Sequence, residues 1–378
     1  MRLVIHLLIG FVSVLVFLGL VALASISGSS KADLFSADSY FFRQLIWAAA
    51  GAVVLATASR VDYHEWRSWA VPLLVLVTLL LILCFVPPIG LNIKGSRRWL
   101  NLGPLRFQPS ELAKPAVVLF LAWWIKRNER KVVTLRDGVL IPMTALGVVL
   151  LLIFVEPDFG TTALLTALAL SLLLLGGTRL SYVVALAVLL GCGFAVAVSL
   201  DPERLRRILA FRDPERYAAD EAYQLLQALR AFRMGGLWGV GLGRSIQKMY
   251  YLPEAHTDFI LPIIGEELGL AASLGILAMY IGIFALGLFI AWRAPDLFGS
   301  LLAYGCTMTV AGQAAMNIAV VTGSIPTKGI GLPFVSYGGS SLIVLGLMMG
   351  MLINVARHAG GMVVDTHTQP IKDRLQRV

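Results

Sequence analysis

Charge is what this chain has least of. Asp, Glu, Lys and Arg make up 14% of its 378 residues, against about 25% in an ordinary globular domain. So few charges cannot cover a water-facing surface of that size, which excludes a soluble multidomain protein. Cysteine is scarce as well. Cys84, Cys192 and Cys306 stand singly in apolar runs without CxxC spacing, so they read as small core residues and not as a disulfide or zinc framework. The five His are scattered and form no HExxH pair. No basic stretch interleaved with aromatics forms a polar module, so the net charge of +9 does not point to nucleic acid.

What is present is apolar sequence in long blocks. Hydrophobic residues reach 58% and the mean hydropathy is +0.81. A helix crosses a bilayer with roughly 20 apolar residues. Uncharged runs occupy 3–30, 44–59, 68–93, 138–155, 159–178, 180–200, 268–292, 297–327 and 329–356, and 107–125 is interrupted only by Glu111 and Lys114. The expected fold is therefore an all-α integral membrane protein of about ten transmembrane helices. Residues 1–358 form a single polytopic domain, with a large extracytoplasmic loop at 201–266 between the seventh and eighth spans. Residues 359–378 are expected to be a mobile cytoplasmic tail. Arg2, the apolar run and Ala22-Leu23-Ala24 look like a signal peptide. The run is longer than the roughly 7–15 residues of a signal core, so an uncleaved anchor is the better reading.

An even number of spans puts both termini on one side. If that side is the cytoplasm, it holds about twice as many Lys and Arg as the short loops opposite, in keeping with the positive-inside rule. Three unusual polar segments then all face outward: 94–115, 201–266 and 322–341, joined by the short link Glu156-Pro-Asp-Phe-Gly160.

Several residues in these segments carry chemistry. Glu111 and Lys114 share a helix face, and ionisable groups at membrane depth pair with each other or border a wet cavity. Either reading suits them. Arg97, Arg98 and Trp99 follow Gly95 at a membrane surface. They serve either as an interfacial anchor or as a phosphate-binding arginine pair. Residues 223–233 predict an amphipathic helix. The following Gly235-Gly-Leu-Trp-Gly-Val-Gly-Leu-Gly243 is flexible and too apolar for a plain linker, and it lacks the context of a nucleotide loop. Glu254, His256, Asp258, Glu266 and Glu267 crowd the entrance of a membrane helix. Glu266 and Glu267 fit solvated carboxylates at a helix N-terminus. Asp258, beside Phe259 and Ile260, sits where partial desolvation makes a carboxylate a better base. Ser336-Tyr-Gly-Gly-Ser-Ser341 is not a GxSxG elbow, and its glycines suit a tight turn.

The runs KGSRRWLNLGPLRFQPSELAKP, EPDFGTT, LPEAHTDFILPIIGEELG and GSIPTKGIGLPFVSYGGSSL, in that order, resemble the SEDS family of bacterial cell-wall polymerases over residues 10–358. LPEAHTDF and the PTKG segment are more similar to the cell-division member than to the elongation member. The resemblance implies a peptidoglycan glycosyltransferase that polymerises lipid II, a disaccharide-pentapeptide on undecaprenyl diphosphate, into β-1,4 glycan at the outer face of the inner membrane. It places the required aspartate of the family on Asp258. An inverting displacement follows from an α-linked donor and a β-linked product. Asp258 is then the general base, and His256 is the next candidate. Arg97, Arg98, Lys114, Arg244 and Lys248 are candidates for the leaving diphosphate, and Trp99, Glu111, Lys328 and Ser336 complete the expected substrate-binding set. A divalent cation, Mg or Mn, could assist, and no organic cofactor is expected. The partners implied are lipid II, a class B penicillin-binding protein transpeptidase, other division-complex membrane proteins and membrane lipid, with no nucleic acid. The location implied is the inner membrane at the septum. A lipid II flippase and an elongation-type polymerase are the alternatives. A flippase would suit intramembrane Glu111 and Lys114, but no internal repeat is visible.

Overall fold

The computed structural model describes residues 1–28, 34–36, 39–93, 95–103, 105–249 and 251–361. Most of the tail expected from residue 359 lies outside the described residues. The architecture is a helical bundle with one small sheet at one end. Its long helices are α1 (Arg2–Gly28), α2 (Tyr40–Ala58), α3 (Trp66–Cys84), α4 (Pro109–Arg127), α5 (Ile141–Val155), α6 (Phe159–Leu175), α7 (Leu180–Ser199), α10 (Ile260–Arg293), α11 (Leu297–Val321) and α12 (Gly339–Gly361). Two shorter helices, α8 (Pro202–Arg212) and α9 (Tyr223–Gly235), lie between α7 and α10.

These runs become helices because a helix satisfies every backbone N–H and C=O within the segment, which an apolar surrounding demands. Their ends are marked locally. Pro109 opens α4 and Pro142 lies in the first turn of α5, where a missing N–H costs nothing. The Asp158 carboxylate caps α6 through the Thr161 N–H at 3.1 Å, and Asp296 caps α11 through the Gly299 N–H at 3.1 Å.

Among the described residues, seven helices are long and apolar enough to cross a membrane: α1, α2, α3, α5 with the turn before it, α7, α10 and α12. The other three of the ten expected segments are also helical, but each differs. α6 has 17 residues, α4 carries Glu111 and Lys114, and α11 carries Gln313 and Asn317. α4, α11 and α12 are the most enclosed, and they form the middle of the bundle. α7 is nearly all exposed on the outside. Gly360 lies against Met1, so both ends of the described chain sit at one end of the bundle.

At the opposite end, the first polar segment folds into an antiparallel meander of β1 (Gly90–Ile93), β2 (Ser96–Leu102) and β3 (Leu105–Phe107). Leu91 faces Trp99, and Asn101 faces Arg106.

The long segment corrects one expectation and adds a helix. Ile260 to Leu268 forms a helix of its own, and the long span expected from residue 268 follows it beyond a break at Gly269. Glu266 and Glu267 are buried, with 0% and 2% exposure, and are not solvated. The cause is a break at Gly269, which adopts φ 79° and ψ −175° in the middle of α10. A break frees backbone groups on both sides. The glycine-rich run takes them up: the N–H groups of Val240 and Gly241 donate to the Glu266 and Glu267 carbonyls at 3.0 Å, and the Leu270 N–H donates to the Gly236 carbonyl at 2.9 Å. The run is thus docked rather than flexible. The carboxylates point the other way. Glu266 accepts the Ile246 N–H at 2.9 Å, the Gln247 N–H at 3.3 Å and the Ser245 hydroxyl. Glu267 accepts the Lys248 ammonium at 2.8 Å and the Ser25 hydroxyl at 2.6 Å.

Gly269 needs a left-handed conformation, and a Cβ on Gly239 would meet the Glu267 carbonyl. Substituting Gly239 by Val is expected to destabilise the protein by about 2 kcal/mol or more, since backbone cannot yield as a side chain does. A lowered unfolding temperature of the purified protein in detergent checks this.

Candidate active site

Segments far apart in sequence meet at the sheet-bearing end of the bundle, and α11 is the rod to which they are fixed. Gln313 and Asn317, one turn apart, carry the attachments. The Asn317 amide donates to the Asp258 carbonyl at 2.8 Å and to the Ile330 carbonyl at 2.7 Å. The Gln313 amide donates to the Gly331 carbonyl at 2.8 Å, and its oxygen accepts the Lys114 ammonium at 2.7 Å. Lys114 also holds both Glu111 oxygens at 2.8 Å. Loop 328–338 therefore rests on the same helix face that holds the turn ending in Asp258.

Asp258 is half-buried at the end of a tight turn in which the Thr257 N–H donates to the Glu254 carbonyl at 3.1 Å. Its carboxylate faces loop 328–338, where a Cβ on Gly329 would sit 3.0 Å from Oδ2. Lys328 directly precedes that glycine. Burial pushes the Lys328 ammonium below the usual lysine range, and its Nζ lies 5.4 Å from the Phe194 ring centre of α7. The site end thus presents a carboxylate and a partly desolvated cation on adjoining strands of chain.

Ser336 stitches the loops together. Its hydroxyl donates to the Thr257 carbonyl at 2.6 Å and accepts the Leu332 N–H at 2.7 Å. Gln44 of α2 clamps the same loop from the far side, donating to the Ser336 carbonyl at 2.9 Å and accepting the Gly338 N–H at 3.1 Å. The His256 ring stacks on Tyr40 at 4.2 Å between centres, and its carbonyl accepts the Tyr337 N–H at 2.9 Å.

The link between α5 and α6 closes the cluster. Arg98 donates to the Glu156 and Pro157 carbonyls at 2.9 and 2.7 Å, which ties β2 to the link. Asp158 accepts the Thr161 hydroxyl at 2.9 Å, with the Ser110 hydroxyl at 3.5 Å. Gly160 packs under Ile330. Of the other expected residues, Trp99 is half-buried in β2, and Arg97 is exposed, with the Phe85 carbonyl at 3.4 Å. Arg244 is exposed on the glycine-rich run, and Lys248 is engaged with Glu267 and Ser25 beneath it. The structure thus brings together Arg98, Glu111, Lys114, His256, Asp258, Lys328 and Ser336, and sets Arg244 and Lys248 in a second cluster around the break in α10. Gln44, Gln313 and Asn317 escaped the sequence reading. Their signal was available, since each is a polar residue inside an uncharged apolar run.

Glu156 is 1% exposed, and among the described residues its carboxylate oxygens accept no backbone or hydroxyl hydrogen bond. Burial pushes the carboxyl up to about 8, and neighbouring Asp158 adds to the rise, while the Cys84 thiol and Arg98 oppose it. A raised folded value favours the folded state in full below the ordinary 4.5, and that advantage is lost as pH climbs toward 8. Glu156→Gln removes the ionisation. Its unfolding temperature is expected to fall less than that of the wild type between pH 4.5 and 8, a difference read directly from paired thermal scans.

With this geometry in hand, similarity to known proteins is informative. The family described as cell cycle protein, FtsW/RodA/SpoVE, matches residues 5–360. A probable peptidoglycan glycosyltransferase FtsW of Geobacter sp. (strain M18) is 39% identical over 350 residues, covering 92% of this chain and 95% of its own. Stage V sporulation protein E of Bacillus subtilis is 38% identical over 350 residues, covering 91% and 94%. Among solved structures, a chain from a peptidoglycan synthase complex, studied for the coordination of polymerization and crosslinking, superposes with a TM-score of 0.78 at 27% identity. It covers 94% of this chain and 98% of its own. The rod shape determining protein RodA of Thermus thermophilus superposes with a TM-score of 0.67 at 26% identity, covering 93% and 95%. The fold, the order of the polar segments and the matched span together make this chain a member of the FtsW/RodA/SpoVE family.

Proposed function

We propose that this chain is a peptidoglycan glycosyltransferase that polymerises lipid II during septal cell-wall synthesis, with Asp258 as the general base. One observation carries the reading: a half-buried carboxylate and the partly desolvated Lys328 are held on adjoining loops by a single helix, at one end of a membrane bundle. Relatives named FtsW, 39–41% identical across nine-tenths of the chain, support both the activity and the division role.

The reaction asks for little beyond that arrangement. The 4-hydroxyl of the acceptor sugar attacks the anomeric carbon of the donor. The bond from that carbon to the diphosphate oxygen breaks, and the configuration inverts. The hydroxyl proton passes to the Asp258 carboxylate, a contribution of about 10²–10⁴-fold in typical general-base catalysis. Negative charge gathers on the leaving diphosphate, where Lys328 is the cation best placed to meet it. Lys114 is neutralised by Glu111, so its part is to hold Gln313 and through it the loop carrying Lys328. Arg98 is likewise spent on the 156–157 backbone, which leaves its role one of fixing the sheet.

Among the described residues no three His, Cys, Asp or Glu side chains cluster to hold a metal ion. Mg²⁺ or Mn²⁺, where it assists, would be carried by the diphosphate of the substrate. The outward-facing orientation, the termini in the cytoplasm and a class B transpeptidase as partner belong to the same proposal. A transpeptidase would crosslink the strands made here, and the synthase-complex neighbour supports that pairing.

The purified protein, with a cognate transpeptidase present, is expected to convert lipid II into glycan ladders on a gel. Asp258→Asn, which keeps the shape and loses the base, is expected to cut product by at least about 100-fold. Equal activity of wild type and variant would remove Asp258 from the mechanism and make His256 the next target. Absence of glycan from both, with lipid II transported across vesicles, would turn the reading to a flippase. Lys328→Gln is expected to slow polymerisation by roughly 10–100-fold, as befits one lost charge-assisted contact, measured as initial rates across lipid II concentrations.

A further inference from the structure

Residues 236–249 are built inside out. Ser245, Gln247 and Lys248 are buried, while Leu237, Trp238, Leu242, Ile246 and Met249 are exposed, Trp238 at 82%. In water such a segment would turn over, hiding its apolar side chains and hydrating the lysine. Here the reverse arrangement is enforced. Glu266 and Glu267 draw in the backbone of 245–247 and the Lys248 ammonium, and this leaves Ile246 and Met249 facing away from the protein.

What covers that face follows from its neighbours. The Leu270 and Ala271 N–H groups donate to the Gly236 and Leu237 carbonyls at 2.9 and 3.3 Å, so the run lies level with the first turn of α10 beyond its break. From there Leu270, Leu274, Leu277 and Ile281 form one exposed stripe along a helix long and apolar enough to cross a membrane. The exposed side chains of 237–249 adjoin the start of that exposed apolar stripe. Arg233 is exposed just before the segment and Arg244 within it, between Leu242 and Ile246, and long guanidinium side chains can snorkel to lipid phosphates while Trp238 occupies the interface.

We propose that residues 236–249 are a membrane-dipping loop, with Trp238, Leu242, Ile246 and Met249 set in the outer part of the bilayer leaflet on the Asp258 side. The buried Glu266, Glu267 and Lys248 are the frame that presents them. The inference concerns lipid contact alone and does not depend on the reaction proposed for Asp258. It gives the second cluster of charged residues a purpose distinct from substrate binding.

The test uses the full chain in lipid nanodiscs. The chain has eight Trp, so the emission of Trp238 is obtained as the difference between wild type and Trp238→Phe. That difference is expected to be quenched at least about twofold by lipids brominated near the top of the acyl chain, and little by aqueous iodide, as for other interfacial tryptophans. Quenching by iodide with none by bromolipid overturns the proposal, since the loop is then in water. Quenching by neither also overturns it, because a second protein surface then covers the loop. A fluorophore at Met249→Cys, with Cys192 replaced by Ser, must give the same pattern for the loop rather than one side chain to be in the bilayer.

Discussion

A lysine ammonium with 2% exposure inside an apolar bundle is the constraint on which the site depends. Removing one partner from a buried ion pair costs about 3–5 kcal/mol, so Lys114 has no tolerable arrangement without Glu111. The pair leaves one ammonium hydrogen over, and Gln313 accepts it. That fixes the Gln313 amide so that its N–H group points to the Gly331 carbonyl, and the loop bearing Lys328 is held. One turn later Asn317 does the same for Ile330 and for Asp258. In a low-dielectric surrounding each of these bonds is stronger than in water, and each unmade one is more costly. A chain of hydrogen-bonded groups thus runs from Lys114, in the second turn of α4, to the loops at the sheet-bearing end, although the Asn317 Oδ1 is buried without a hydrogen-bond partner among the described residues.

The break in α10 obeys the same rule from the other direction. A continuous helix would have left Glu266 and Glu267 in an apolar wall with nothing to bond. Breaking at Gly269 frees backbone groups for the glycine-rich run, and the two carboxylates gather backbone N–H groups, hydroxyls and one ammonium. Neither feature works alone: the run cannot dock without the break, and the break leaves orphan carbonyls without the run. This is why a sequence so rich in glycine is ordered here and packs against backbone with no side chain between.

Much of this was legible in the sequence and some was not, for definable reasons. The helices were legible because uncharged runs of bilayer length have one stable conformation in lipid. Glu111 and Lys114 were legible as a pair because a spacing of three places them on one helix face. Asp258 stood out through its motif. Glu266 and Glu267 were misread because their position near a helix start suggests solvent, and only the three-dimensional return of residues 236–248 shows what surrounds them. The β1–β3 meander is not legible: residues 90–93 stand at the end of an uncharged run counted as a span and the rest in a polar segment, and strands of three to seven residues give little periodic signal. The work of Gln313 and Asn317 in anchoring the loops was hidden because the groups they donate to are backbone carbonyls, which no side-chain pattern reveals.

Attaching the reactive loops to one helix has a consequence for how such an enzyme handles a lipid-borne sugar. The substrate arrives along the membrane with its polyprenyl tail in the bilayer, so its diphosphate is confined near the plane of the interface. The turn of Asp258 and the loop of Lys328 are held by bonds from the Asp258, Ile330 and Gly331 carbonyls to α11, a helix enclosed on most sides. The side that must yield to admit a tail is elsewhere. α7 is mostly exposed and meets the rest of the bundle along one stripe, Tyr182, Leu186, Leu190 and Phe194, with Phe194 beneath the Lys328 ammonium. If Asp258 and Lys328 act as proposed, an enclosed centre that fixes their loops and an outer helix bordering the same cation would divide precision and substrate access between different elements.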